Sequence, residues 1–99
     1  MSIDFAPASP RLSAVKYDQS RQVHPFARPR RDGEWTVQPP GQRAPIGLVR
    51  SRVTESGELE FLTFAWGQDG PAATPFDETH PTLFHAVSWL RWRYGVRGA

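Results

Sequence analysis

The chain has no cysteine, a single lysine at Lys16, and no stretch near the ~20 apolar residues that a membrane-spanning helix needs. The first absence excludes disulfides, thiolate metal sites and cysteine nucleophiles, and with them a secreted disulfide scaffold. The second leaves positive charge to arginine, which supplies eleven of the twelve basic residues. A guanidinium is a planar fork of donors, better matched to phosphate and carboxylate than an ammonium. The third comes with an N-terminus, MSIDFAPASP, that has neither a cationic region nor an apolar run. No signal peptide is visible, and the expectation is a soluble, cytoplasmic protein without membrane contact.

What is present fits one domain. Six Phe, four Trp and two Tyr in 99 residues give bulk for a modest core. The formal charge is only +2, which permits nucleic-acid binding without requiring it.

The strongest local pattern lies between His80 and Gly95, HPTLFHAVSWLRWRYG, and predicts a C-terminal helix over 81–94. Pro81 suits a first turn, and Thr79 or His80 suits the cap before it. Gly95 suits the residue after the last turn, where Arg91 and Arg93 meet the negative pole of the helix dipole. Leu83, Ala86, Val87, Leu90 and Tyr94 recur at helical spacing and share one face. At about 100° per residue, His85, Trp89 and Trp92 gather on roughly the opposite side, so the helix has a second face that needs a cover.

Upstream, Ile46–Thr54 and Leu59–Trp66 alternate as strands and are joined through Glu55-Ser56-Gly57. A three-residue loop with Gly57 in the left-handed position pairs Val53 with Leu59, Arg52 with Glu60 and Leu48 with Phe64. A two-residue loop would instead oppose Glu55 to Glu58 and Val53 to Glu60, so the first register is preferred. It puts Val49, Ser51, Val53, Leu59, Phe61, Thr63 and Ala65 on one face. Arg50, Arg52 and Glu60 occupy the tip of the other, with Ile46, Leu48, Leu62, Phe64 and Trp66 at its base. Both faces are partly apolar, and one helix cannot cover both.

Residues 1–45 hold seven of the ten prolines. Residues 1–33 read as an extended or partly ordered N-terminal arm, with 34–99 as a single α+β domain. Asp32-Gly33 marks a turn before a short strand over Glu34–Gln38. The expected fold is therefore a small antiparallel sheet of about three strands, with central hairpin 46–66 packed by the C-terminal helix. The arm is available to pack on the second apolar surface through Phe5, Leu12, Val15, Tyr17, Val23 or Phe26.

Three constellations bear on function. Arg50 and Arg52 leave one sheet face, and Arg28, Arg30 and Arg31 lie on the arm, a set suited to phosphates. His85, Trp89 and Trp92, with Phe64 and Trp66 as further anchors, suit a protein partner or a homodimer, because Trp is enriched at interface hot spots. The same patch also suits the arm as an intrachain cover. Catalysis has little to build on. His80 and His85, taken as helical neighbours five residues apart, lie about 140° from each other and cannot chelate as an i, i+4 pair does. No nucleophile elbow or phosphate-loop fingerprint is present, and no catalytic residue, metal or cofactor is expected.

The order of three strands then a helix over residues 35–94 resembles the sheet-reading DNA-binding modules of plant transcription factors and the arm domains of phage integrases. That resemblance is one of topology and implies DNA contact through the sheet. The sequence leads us to expect a small non-enzymatic binding module, a bacterial or phage accessory protein, contacting nucleic acid through its arginines. The alternative is a protein-interaction or self-associating module using the Trp/His face of the helix.

Overall fold

A computed structural model describes residues 22–95. The elements, in chain order, are β1 (Ala27–Arg31), β2 (Glu34–Val37), β3 (Gly47–Val53), β4 (Leu59–Gly67), β5 (Gly70–Pro71), β6 (Thr79–His80) and α1 (Leu83–Arg93). They form a curled antiparallel sheet packed by one helix. Strands β1 to β4 neighbour one another in sequence order. Both β5 and β6 pair with the far edge of β4, β5 at Trp66–Gly67 and β6 at Phe61–Leu62.

The central hairpin has the register that charge and hydrophobic pairing select. Val53 pairs with Leu59, Arg52 with Glu60, and Leu48 with Phe64. Gly57 adopts φ 89°, and its N–H donates to the Thr54 carbonyl at 2.9 Å. Ile46 departs from expectation. It sits just before β3, its N–H donates to the Val37 carbonyl, and it packs on the helix-side core.

The sheet is larger than the expected three strands. Ala27–Arg31, expected within an extended or partly ordered arm, is the edge strand β1, because the Asp32-Gly33 turn (Gly33 φ 76°) folds it back onto β2. An edge position accommodates Pro29, whose nitrogen has no hydrogen to give to a ladder. Thr79 and His80 are not helix caps but the strand β6. The helix begins later, at Leu83, with Thr82 as its N-cap: the Thr82 hydroxyl accepts the His85 N–H at 3.0 Å. The Leu83 N–H donates to Gln22 Oε1 at 3.3 Å, so a residue 61 positions upstream satisfies a second helix-start donor. At the far end Gly95 takes φ 66° as expected, while Tyr94, placed on the core face by periodicity, is the exposed C-cap.

The core lies between sheet and helix. Leu83, Ala86, Val87 and Leu90 of α1 meet Trp35, Val37, Val49 and Phe61, all buried. The helix can approach this closely because residue 47 is glycine. A Cβ there would come within 2.8 Å of the Phe64 carbonyl oxygen and 2.9 Å of a Leu90 methyl. On the opposite face Leu48, Leu62 and Phe64 form a second buried cluster, with Trp66 half-buried beside it. Leu48 and Val49 are consecutive, point to opposite faces, and are both fully buried. Of the residues expected to cover the second surface, Phe5, Leu12, Val15 and Tyr17 lie outside the described residues. Phe26 packs on the helix-side core, and Val23 is exposed.

Candidate functional site

The arginine face is built by strand alternation. Pairing of Arg28 with Thr36, Thr36 with Leu48 and Leu48 with Phe64 makes one row across β1 to β4, and Glu34, Arg50 and Leu62 make the next. These residues share the sheet face opposite α1. The register shifts between Pro29 and Arg31, and this irregularity lets both Arg30 and Arg31 reach Glu34 on the neighbouring strand.

Glu34 organises the face. Its side chain is only 7% exposed, and its carboxylate takes three guanidinium groups: Arg50 Nε at 2.8 Å, Arg30 Nη1 at 3.3 Å and Arg31 Nε at 3.4 Å. A buried carboxylate is costly unless it is paired and hydrogen-bonded, which here it is. In return it gathers three cations whose mutual repulsion would otherwise spread them. Each guanidinium has more donors than it uses on Glu34, so the assembly keeps a positive, donor-rich surface. Arg52 is paired with Glu60, as the hairpin register implies. Asp32 at the β1–β2 turn adds one exposed negative charge, and Arg28 adds one exposed positive charge.

The aromatic residues of this face are not open platforms. Phe64 is buried, and the Arg50 guanidinium lies over its ring at 4.7 Å. Trp66 is half-buried at the β5 end of the strand. The fold brings Arg30, Arg31 and Arg50 together; the sequence places the first two on the arm and the third on the sheet. It does not reveal Glu34 as their hub, because a lone Glu at the start of a short strand gives no sign of what surrounds it.

The Trp/His side of α1 divides in two. Trp89 is half-buried within its own chain: Phe76 meets it edge-on at 5.1 Å, His80 lies 5.3 Å away, and Arg93 spans the Phe76 and Trp89 rings. Among the described residues its cover comes from the 72–78 loop, where the Phe76 N–H donates to the Thr63 carbonyl. Trp92, by contrast, is 76% exposed. Phe84 is also largely exposed and rests one edge on His24, whose Nδ1 accepts the Phe26 N–H at 3.1 Å. Burial, then the nearby Arg91 charge, lowers the His24 pKa below its ordinary 6.5.

His80 and His85 do meet, contrary to the angular argument, which assumed that one helix carries both. His80 is on β6, the chain turns at Pro81-Thr82, and the two Nδ1 atoms come within 3.0 Å. Among the described residues no group of three His, Asp or Glu side chains is placed to hold a metal ion, and no helix is long and apolar enough to cross a membrane. No protein family, curated protein or solved structure matches this chain.

Proposed function

We propose that the chain is a small non-enzymatic binding module that contacts the phosphate backbone of nucleic acid through Arg28, Arg30, Arg31, Arg50 and Arg52. The observation that carries this reading is the seat of three guanidinium groups on the buried Glu34 carboxylate. Such an arrangement fixes cations that would otherwise lose side-chain entropy on meeting a ligand. With Phe64 buried and Trp66 half-buried, base stacking has little to rest on, so the reading favours backbone contact over recognition of splayed bases.

The test is retention of mixed-sequence single-stranded and duplex oligonucleotides at about 50 mM and about 200 mM salt. Binding should fall steeply between the two. Arg28→Gln with Arg31→Gln, both exposed, should flatten the salt dependence by about one logarithmic unit of slope per lost phosphate contact. No retention by the unmutated protein at the lower salt ends the proposal.

The exposure of Trp92 favours a second reading, a protein-binding or self-associating surface, since a solvent-facing indole is an effective interface anchor. Sedimentation decides self-association. A monomer at every concentration removes it, while a dimer that Trp92→Ser dissociates supports it.

A further inference from the structure

The His80–His85 pair stands where sheet and helix join and takes no part in the arginine face. His80 belongs to β6, which pairs with Phe61 and Leu62 of β4. His85 lies in the first turn of α1, and its backbone N–H is the one that the Thr82 cap receives. Their ring contact therefore ties the last strand to the start of the helix.

An Nδ1-to-Nδ1 contact of 3.0 Å holds one proton, neither none nor two. With none, two lone pairs face each other; with two, two N–H groups collide. His80 is 3% exposed and its Nε2 has no partner, whereas His85 is exposed. The arrangement that leaves no buried N–H orphaned has His80 donating from Nδ1 to His85 Nδ1, with the His85 proton on its exposed Nε2. One further proton on the pair leaves a proton on each Nε2 and still one between the two Nδ1 atoms, so the contact persists. The next proton has only the remaining bare Nδ1 to go to, and its arrival removes the acceptor and sets two imidazolium rings with centroids 5.1 Å apart.

We propose that this pair is a proton-operated latch: with a single proton between the rings it holds β6 and the first turn of α1 together, and protonation of both rings releases them. Release uncovers Trp89 and the β4 edge at Phe61–Leu62. The charged groups around His80 are spread over the elements packed on it. Glu78 precedes it in the chain, and Glu58 and Glu60 of the β4 side border with it a hollow of about 270 Å³. From α1 come His85 and, over the Trp89 ring, Arg93. Burial first, then the His85 charge, lower the His80 pKa from the ordinary 6.5, and Glu78 opposes them. The closed latch thus binds protons less readily than the opened chain, so acid favours opening, in a window that begins near 6.5 and extends below it.

The experiment is amide hydrogen exchange on the full chain from about pH 7.5 to about pH 5, with rates corrected for their intrinsic pH dependence. Residues 79–87 should lose protection by about tenfold relative to β2 and β3 across that range. His24, which rests against Phe84 of the same segment, also has its pKa held below 6.5, and His80→Phe leaves it in place, so that variant separates the two contributions. His80→Phe keeps a buried ring that cannot titrate and should make the response flat. His85→Gln, on the exposed partner, removes the charge that lowers the His80 pKa, so the midpoint should move up toward 6.5 and the loss of protection should shrink. Parallel loss of protection in β6 and in β2–β3 overturns the latch, as does an unchanged pH response in His80→Phe. If that variant does not fold, an unchanged midpoint in His85→Gln overturns it equally.

Discussion

The two faces of the sheet are made by the same strands and end up chemically different. Toward the helix, Trp35, Val37, Val49 and Phe61 meet Leu83, Ala86, Val87 and Leu90 in a buried apolar cluster. On the other face, buried Leu48, Leu62 and Phe64 lie beside a carboxylate that holds three arginines. Period-two alternation lets one strand serve both, with Val49 and Arg50 adjacent in sequence and opposite in environment. The helix-side face supplies stability, and the arginine face supplies a charged surface held in place by that stability.

The largest effects are expected on the helix side. Phe61→Ala should cost about 3–5 kcal/mol in denaturant unfolding, since a fully buried ring leaves a cavity that a small core closes poorly. Gly47→Val should cost about 1–3 kcal/mol or more, because the Cβ has only the Phe64 carbonyl and a Leu90 methyl to push against. An unaltered melting temperature in either variant would mean that the helix is not seated as described.

Smaller effects are expected on the arginine face. Glu34→Gln keeps the volume but leaves three guanidiniums without a counter-charge, and should cost about 1–2 kcal/mol, the exposed arginines relaxing into water. If it also weakens oligonucleotide retention despite the added net positive charge, placement of the arginines matters more than their number. A rise in retention would show the reverse.

Acid should weaken the fold modestly. His24 and His80 both have pKa values held below 6.5, so above that pH their contribution to stability is complete. As pH falls from 6.5 toward their folded values, the unfolded chain takes up protons that the fold refuses, and stability declines. Urea midpoints at about pH 7.5 and about pH 5 test this, and equal midpoints would contradict it. Least of all, Trp92→Ser should change stability by no more than about 0.5 kcal/mol, because the indole is exposed.

Much of this was readable in advance. The hairpin register followed from loop length and charge pairing, both local matters. The helix and its buried stripe followed from spacing, although Tyr94 fell outside the stripe at the capped end. The β1 strand is hidden because Pro29 favours the same extended backbone whether a chain is paired or alone. Helical spacing fails for His80 and His85 for a related reason: it holds only while both residues share one helix, and Pro81-Thr82 ends that sharing.

Alternation and periodicity, which depend only on covalent geometry and side-chain polarity, determined that there would be a hairpin, a helix and two partly oily sheet faces. Which groups far apart in the chain would touch was a tertiary matter: Glu34 beneath Arg50, Gln22 on the helix start, and Phe76 against Trp89. Such contacts form when the core closes and leaves buried polar and aromatic groups to find whatever partner lies within reach, and no local pattern encodes that choice.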